Sequence, residues 1–196
     1  MMMQGAILEL RKTVDAICPL SADEWLAFSA VWKPVSFPKK SLVTRAGERE
    51  KYLYFIVSGV QRIYYFDESE REATLLFTYP PSFGGILDSF MLQKSAAYSY
   101  ETLTASSFLR SSYPEIRKLC DEYPAVERMM QTGVTMALSG VLERLVELQC
   151  FSSEEKFRSL LRRSPHILNL FPQKYLANYL GIDPSNFSKL INKVRI

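Results

Sequence analysis

Hydrophobic and polar positions change rhythm along this chain, and each change predicts a different kind of structure. Up to residue 33 apolar residues recur at helical spacing, at Leu8, Val14 and Ile17 and then at Trp25, Leu26, Phe28 and Val31. Ser21 followed by Glu24 is a capping box that starts the second of these helices. From Pro34 to about Ser112 the period shortens and predicts strands at 35–38, 41–45, 52–57, 60–66, 72–79, 98–105 and 108–110. Turns are expected at 39–40, 47–50, 58–59 and 67–70. Aromatic and β-branched residues on both sides of Gly59 predict a hairpin over 52–65. Such spacing implies a small antiparallel roll or barrel whose interior is core or pocket.

The segment at 80–97, PPSFGGILDSFMLQKSAA, interrupts that rhythm with two prolines, two adjacent glycines and a short apolar turn of helix. A helix start inserted in a barrel can hold an anion on backbone N–H groups. It can equally be a connection filled by Phe83, Ile86, Phe90 and Met91, and the residues leave both open. A short helix is expected at 114–121 and a long one at 125–150. In the long helix Met129, Met130, Val134, Ala137, Leu138, Val141, Leu142, Leu145 and Leu148 recur every three or four positions. Gly133 and Gly140 share a face; each costs roughly 1 kcal/mol against alanine, and together they let two long helices approach closely. The stripe is read as a dimerisation helix, the alternative being packing on its own barrel.

After a capping box at Ser152 and Glu155 and a helix to about Arg163, the chain ends PQKYLANYLGIDPSNFSKLINKVRI. Apolar Leu176, Leu180, Ile182, Phe187 and Leu190, with small Ala177 and Gly181, are spaced as two short helices crossing near a right angle require. Ala177 permits the close crossing, and Gly181 supplies a left-handed turn that ends the first helix. Asp183 caps the second helix and Pro184 fits its first turn. That helix, read as 183–194, exposes Ser185, Asn186, Ser188, Lys189, Asn192, Lys193 and Arg195, polar residues with no acidic one among them. From Phe151 onward eight Lys and Arg face three acidic residues, giving +5, so the whole-chain +3 leaves −2 on the preceding part. Spacing, turn chemistry and charge together favour a DNA-binding helix-turn-helix over a pair of packed surface helices.

Other classes lose ground on composition. Cys18, Cys120 and Cys150 are scattered and odd in number, as expected of reduced thiols rather than a disulfide framework. The N-terminus MMMQGAILELRK lacks the pattern of a signal peptide, and no apolar run approaches the roughly 18 residues of a membrane span. A single histidine, His166, leaves no metal set and no Ser–His or Cys–His pair, and no phosphate-binding glycine loop of the GxxxxGK type is present. An enzyme is not expected.

The order of helices, β-roll, interrupted loop, long helix and terminal helix-turn-helix resembles the Crp–Fnr family of bacterial transcription regulators over essentially the whole chain. The residues that carry the likeness are YLYFIVSGVQRIYY at 52–65, the FGG…SAA loop at 83–97, and FPQKYLANYLGIDPSNFSKL at 171–190. The last is similar to the DNA-reading unit of Bacteroidetes-type members. The resemblance implies an α+β chain. Residues 1–124 would form an antiparallel β-roll of the cyclic-nucleotide-binding type with flanking helices, 125–150 a dimerisation helix, and 151–196 an all-α helix-turn-helix. It implies a cytoplasmic homodimer that controls transcription, with double-stranded DNA as partner and RNA polymerase as a further candidate.

In cAMP-binding members the loop presents a glutamate to the ribose and an arginine to the cyclic phosphate. Here Gly85 holds the glutamate place and Ser95 the arginine place. The pocket positions Phe83, Gly84, Gly85, Ile86, Lys94, Ser95 and Ala96 are therefore degenerate, and each lost charge-assisted contact is worth roughly 1.5–3 kcal/mol. Lys94 offers only a point charge in place of an arginine fork. cAMP is not the expected ligand, no cofactor is expected, and another effector is left open. Iron–sulfur members need a cysteine cluster near the N-terminus, where only Cys18 lies, and a haem sensor needs an axial ligand that His166 is misplaced to give. Family members commonly continue into a small β wing, whereas this sequence stops at Ile196, so a helix-turn-helix lacking a full wing and binding in a salt-sensitive way is expected.

Ser185, Asn186, Ser188 and Lys189 are expected at base edges, and Lys174, Asn192 and Lys193 at phosphates. The competing reading is a ligand- or protein-binding module of the cyclic-nucleotide-domain type that does not read DNA sequence. A metal-dependent enzyme on a cupin-like barrel would need ligands that the strands lack.

Overall fold

The computed structural model describes residues 2–193. Helices α1 (Met2–Ile17) and α2 (Ala22–Ala30) lead into β1 (Lys33–Phe37), β2 (Leu42–Thr44), β3 (Tyr52–Ser58), β4 (Gln61–Phe66), β5 (Glu72–Thr78) and β6 (Ser82–Gly84). Helix α3 (Leu87–Leu92) precedes β7 (Ser99–Thr102) and β8 (Ser106–Ser112). The remainder is helical: α4 (Tyr113–Glu122), α5 (Pro124–Cys150), α6 (Ser153–Arg163), α7 (Ile167–Leu170), α8 (Gln173–Leu180) and α9 (Pro184–Lys193). The strands form two antiparallel four-stranded sheets, ordered β1-β8-β3-β6 and β2-β7-β4-β5.

That order corrects the expected hairpin over 52–65. β3 pairs with β6 and β8, whereas β4 lies between β7 and β5 in the other sheet. Gly59 makes the corner between sheets at φ +86°, and a Cβ there would meet the Ala105 carbonyl at 2.5 Å and Ser106 Cα at 2.8 Å. β6 falls in the segment expected as a loop, since three residues are too short to show alternation. β7 ends at Thr102 rather than at 105, and β8 extends through 106–112. The short α7 was also unforeseen.

β3 is buried on both faces, which explains its unbroken apolar run. Leu53 and Phe55, with Leu109 of β8, pack outward against Ala6, Leu10 and Val14 of α1, Phe28 of α2, and Phe90, Ile116, Val126 and Met129 of later helices. Tyr54 faces the other way and meets Phe108 at 5.4 Å and Tyr100 of the second sheet at 6.1 Å, so aromatic rings fill the space between the sheets. On α1 and α2 the expected apolar faces need correction. Leu8 and Leu26 are exposed, the latter at 70%, because the buried stripe of α1 runs through Ala6, Leu10 and Val14. The capping box of Ser21 and Glu24 forms as expected.

Among the described residues the chain makes two compact units, one of 2–63 with 77–136, the other of 64–76 with 137–193. The tip of the β4–β5 hairpin thus belongs with the terminal helices. Replacing Gly59 by Ala places a side chain against the Ala105–Ser106 backbone at a left-handed φ. We expect a loss of about 2–4 kcal/mol, measured by urea unfolding.

Candidate functional site

The terminal helices build a compact helix-turn-helix. At the end of α8, Gly181 adopts φ +61°. Its N–H donates to the Asn178 carbonyl and that of Ile182 to the Ala177 carbonyl, each at 3.0 Å. This is the paired bonding of a Schellman motif, which turns the chain sharply into α9. Asp183 Oδ1 then accepts from the Ser185 N–H at 2.8 Å and the Asn186 N–H at 3.3 Å. The Ser185 hydroxyl and these backbone donors hold the Asp183 carboxyl below its ordinary value. Leu176, Ala177, Leu180, Ile182, Phe187 and Leu190 are buried, and Phe187 meets Phe157 of α6 edge-on at 5.4 Å.

With those residues inside, all seven expected DNA contacts face outward: Lys174, Ser185, Asn186, Ser188, Lys189, Asn192 and Lys193. Several are already engaged. The Ser185 hydroxyl donates to Asp183 at 2.6 Å, Asn192 Nδ2 to the Ser188 carbonyl at 3.1 Å, and Lys193 pairs with Glu154 at 3.1 Å. Lys174 Nζ sits 4.5 Å over the Tyr175 ring. Val194 and Arg195, which the sequence places at the end of this helix, lie outside the described residues.

The helix-turn-helix is tied to α5 by charges that the sequence did not single out. Glu147 accepts from Ser159 at 2.5 Å, from Arg163 at 2.9 Å and from Arg144 at 3.2 Å. Arg144 also donates to the Tyr179 carbonyl and stacks 4.2 Å over the Tyr179 ring. Burial raises the Glu147 carboxyl, but hydrogen bonds from Ser159 and Arg163 outweigh it and the net shift is downward. Beside this tie α5 carries exposed apolar residues, Leu138, Val141, Leu142 and Leu145, and Leu148 is partly covered by Gly181 at the end of α8. Of the two glycines, a Cβ on Gly140 would meet nothing within 4 Å, while one on Gly133 would lie 4.0 Å from Ile17 of α1.

In the roll, the loop at 83–96 surrounds a carboxylate that sequence reading missed. Glu50 is only 1% exposed. Its Oε2 accepts from the Thr44 hydroxyl at 2.6 Å and the Ile86 N–H at 3.3 Å, and its Oε1 from the Tyr52 N–H at 3.2 Å. The Glu50 N–H donates to Ser89 Oγ at 3.0 Å. Between Arg49 and Lys51 it reads as a solvated turn residue, and nothing local signals burial. Burial raises its carboxyl above the ordinary range against hydrogen bonds from the Thr44 hydroxyl and backbone N–H groups, and both burial and its charge push the Tyr54 phenol upward.

Gly85 stands at φ +106°, and a Cβ on it would meet the Tyr52 carbonyl and the Tyr54 ring at 3.3 Å and Glu50 Oε2 at 3.5 Å. A glutamate at 85 would be strained and would set a second carboxylate beside the first. Phe83 leaves the pocket for the helical core, 5.6 Å from Phe55. Gly84 faces the Tyr100 hydroxyl, and Ile86 and Ala96 are buried. Lys94 and Ser95 are exposed, and the Ala96 N–H is taken by the Glu48 carbonyl at 2.8 Å. Among the described residues no group of three His, Cys, Asp or Glu is placed to hold a metal ion, and no helix is long and apolar enough to cross a membrane.

Residues 34–123 match the cyclic nucleotide-binding domain family. The matched span covers the strands of the roll and its loop at 83–96. No curated protein matches the chain. Among solved structures, FixK2 from Bradyrhizobium japonicum superposes with a TM-score of 0.76 at 16% identity, over 83% of this chain and 84% of its own. CLP from Xanthomonas campestris, described as a c-di-GMP responsive global regulator, gives 0.65 at 18%, over 88% and 91%. The catabolite activator protein of Thermus thermophilus gives 0.55 at 20%, over 88% and 83%. The chain therefore has the α+β fold of these Crp–Fnr regulators, a cyclic-nucleotide-binding-type roll with flanking helices and a helical C-terminal region.

Glu50→Ala strands three donors inside the domain and should cost about 2–4 kcal/mol. Because the folded carboxyl lies above its unfolded value, its contribution is fully present at low pH and is lost as pH rises through the folded pKa. The stability gap between the wild type and Glu50→Ala should therefore widen as pH falls from neutrality toward the ordinary carboxylate range, measured by urea unfolding across pH.

Proposed function

We propose that the chain is a homodimeric, DNA-binding transcription regulator of the Crp–Fnr type that does not respond to cAMP. The observation that carries this is the outward face of α9: Asn186, Ser188, Lys189 and Asn192 project from a rigid helix seated on Phe187 and Leu190 and entered through the Schellman turn at Gly181. A helix so held suits the major groove, where Asn186 fits an adenine edge and Lys189 a guanine. Lys174, Asn192 and Lys193 then neutralise phosphates, Lys193 exchanging Glu154 for the DNA backbone.

The exposed stripe of α5 supports pairing of two copies. Val134, Leu138, Val141, Leu145 and Leu148 follow alternating steps of four and three residues, with valine at one seam position and leucine at the other until Leu148. Apolar residues at this spacing line one face of a helix and form the seam along which two long helices pair. A dimer would offer two reading helices to half-sites about one helical turn apart. Indifference to cAMP follows from the pocket. Gly85 and Ser95 supply neither anchor, and the buried Glu50 carboxylate opposes a cyclic phosphate next to the Ile86 amide.

The test is fluorescence-anisotropy titration on DNA from the protein's own upstream region, at two salt concentrations, with and without cAMP. Selective binding unchanged by cAMP is expected. A strong cAMP response would sink the reading of the pocket, and no binding to any duplex at low salt would favour the ligand- or protein-binding module instead. In the same assay Lys189→Ala should lose about 1–3 kcal/mol of discrimination at one base pair, whereas Lys193→Ala should weaken all sequences alike and lower the salt slope by about 1. Leu145→Glu should convert the dimer to a monomer in sedimentation velocity and abolish half-site spacing preference; an unchanged sedimentation coefficient would refute the α5 interface.

A further inference from the structure

β5 is the edge strand of the second sheet. Such an edge presents backbone donors and acceptors outward, and one side chain of the helix-turn-helix covers two of them. Asn178, on α8, donates from Nδ2 to the Glu72 carbonyl at 2.8 Å and accepts at Oδ1 from the Thr74 N–H at 2.5 Å. A carboxamide carries the donor and acceptor of a peptide group, so this pair reproduces a rung of a strand ladder. It holds the hairpin tip and the terminal helices together within one compact unit.

The hairpin so held is acidic. It reads Asp67-Glu68-Ser69-Glu70-Arg71-Glu72, four carboxylates against one guanidinium. Arg71 is spent on Asp67, at 2.7 Å within the turn, while Glu68, Glu70 and Glu72 are exposed. Asn178 lies four residues beyond Lys174, roughly 6 Å along the same face of α8. The clamp therefore sets a strand of negative charge beside the face expected to meet phosphate.

Resting on the DNA-binding reading, we propose that Asn178 is an autoinhibitory latch. While its carboxamide holds β5, the acidic hairpin repels the DNA backbone from the first helix of the helix-turn-helix, and release of the clamp raises affinity. β4 and β5 run continuously from the cyclic-nucleotide-binding-type roll into this unit, so whatever shifts the hairpin shifts the latch.

The test uses the full chain, with amide hydrogen exchange at Thr74 reporting the clamp and anisotropy on duplex DNA at low salt reporting its effect. Asn178→Ala should speed Thr74 exchange and tighten DNA binding roughly three- to tenfold, the equivalent of one lost hydrogen bond. A Glu68→Gln/Glu70→Gln double variant, confined to the surface, should also tighten binding while leaving Thr74 protected. Unchanged Thr74 exchange in Asn178→Ala beside normal DNA binding overturns the latch alone. Faster exchange with unchanged or weaker DNA binding overturns its inhibitory role. Absence of binding by the wild type and both variants overturns the DNA reading and the inhibition with it.

Discussion

One buried carboxylate, Glu147, gives the helix-turn-helix its frame. It accepts from α6 through Ser159 and Arg163 and holds Arg144, which in turn reaches α8 at Tyr179. Removing one member of such a set strands a charge away from water, a loss of about 3–5 kcal/mol. The Gly181 turn orients α9 on α8, and this network ties α8 to α5.

The roll contains the opposite case. Glu50 has no cationic partner among its hydrogen bonds, so burial dominates and its carboxyl moves up, whereas the Ser159 hydroxyl and then the Arg163 and Arg144 guanidiniums bring Glu147 down against its burial. Glu147 contributes stability above the ordinary carboxylate range and loses it in acid. Glu50 does the reverse. The same contrast separates the roles. Glu147 is a structural tie, and Glu50 sits where an incoming anion would be least welcome.

Helix α5 presents two kinds of surface. Arg144, Glu147 and Leu148 look toward the terminal helices, while Leu138, Val141 and Leu145 are exposed on other positions of the turn. An exposed apolar stripe of this kind is what the proposed pairing of two copies would cover. Within the second unit the hairpin at 64–76 is bound to α8 through Asn178.

The residues by themselves determined the features that depend on near neighbours. Capping boxes at Ser21 and Ser152, the left-handed Gly181, the Asp183 cap and the long helix over 125–150 are set by bonds spanning a few positions, and each was legible. The polar face of α9 was legible for the same reason, since helical period assigns it once Phe187 and Leu190 are known to be inside. Strand partners were not. Alternation marks β3 and β4 as strands but carries no register between them, and the chain turns from one sheet to the other at Gly59, where a Cβ would collide with the Ala105–Ser106 backbone. The burial of Glu50, the tie at Glu147 and the clamp of Asn178 on a strand 104 residues away were decided by tertiary structure alone. A carboxylate in a charged turn or an amide on a helix surface has the same local signature whether it meets water or a distant backbone, and only the folded chain supplies the partner.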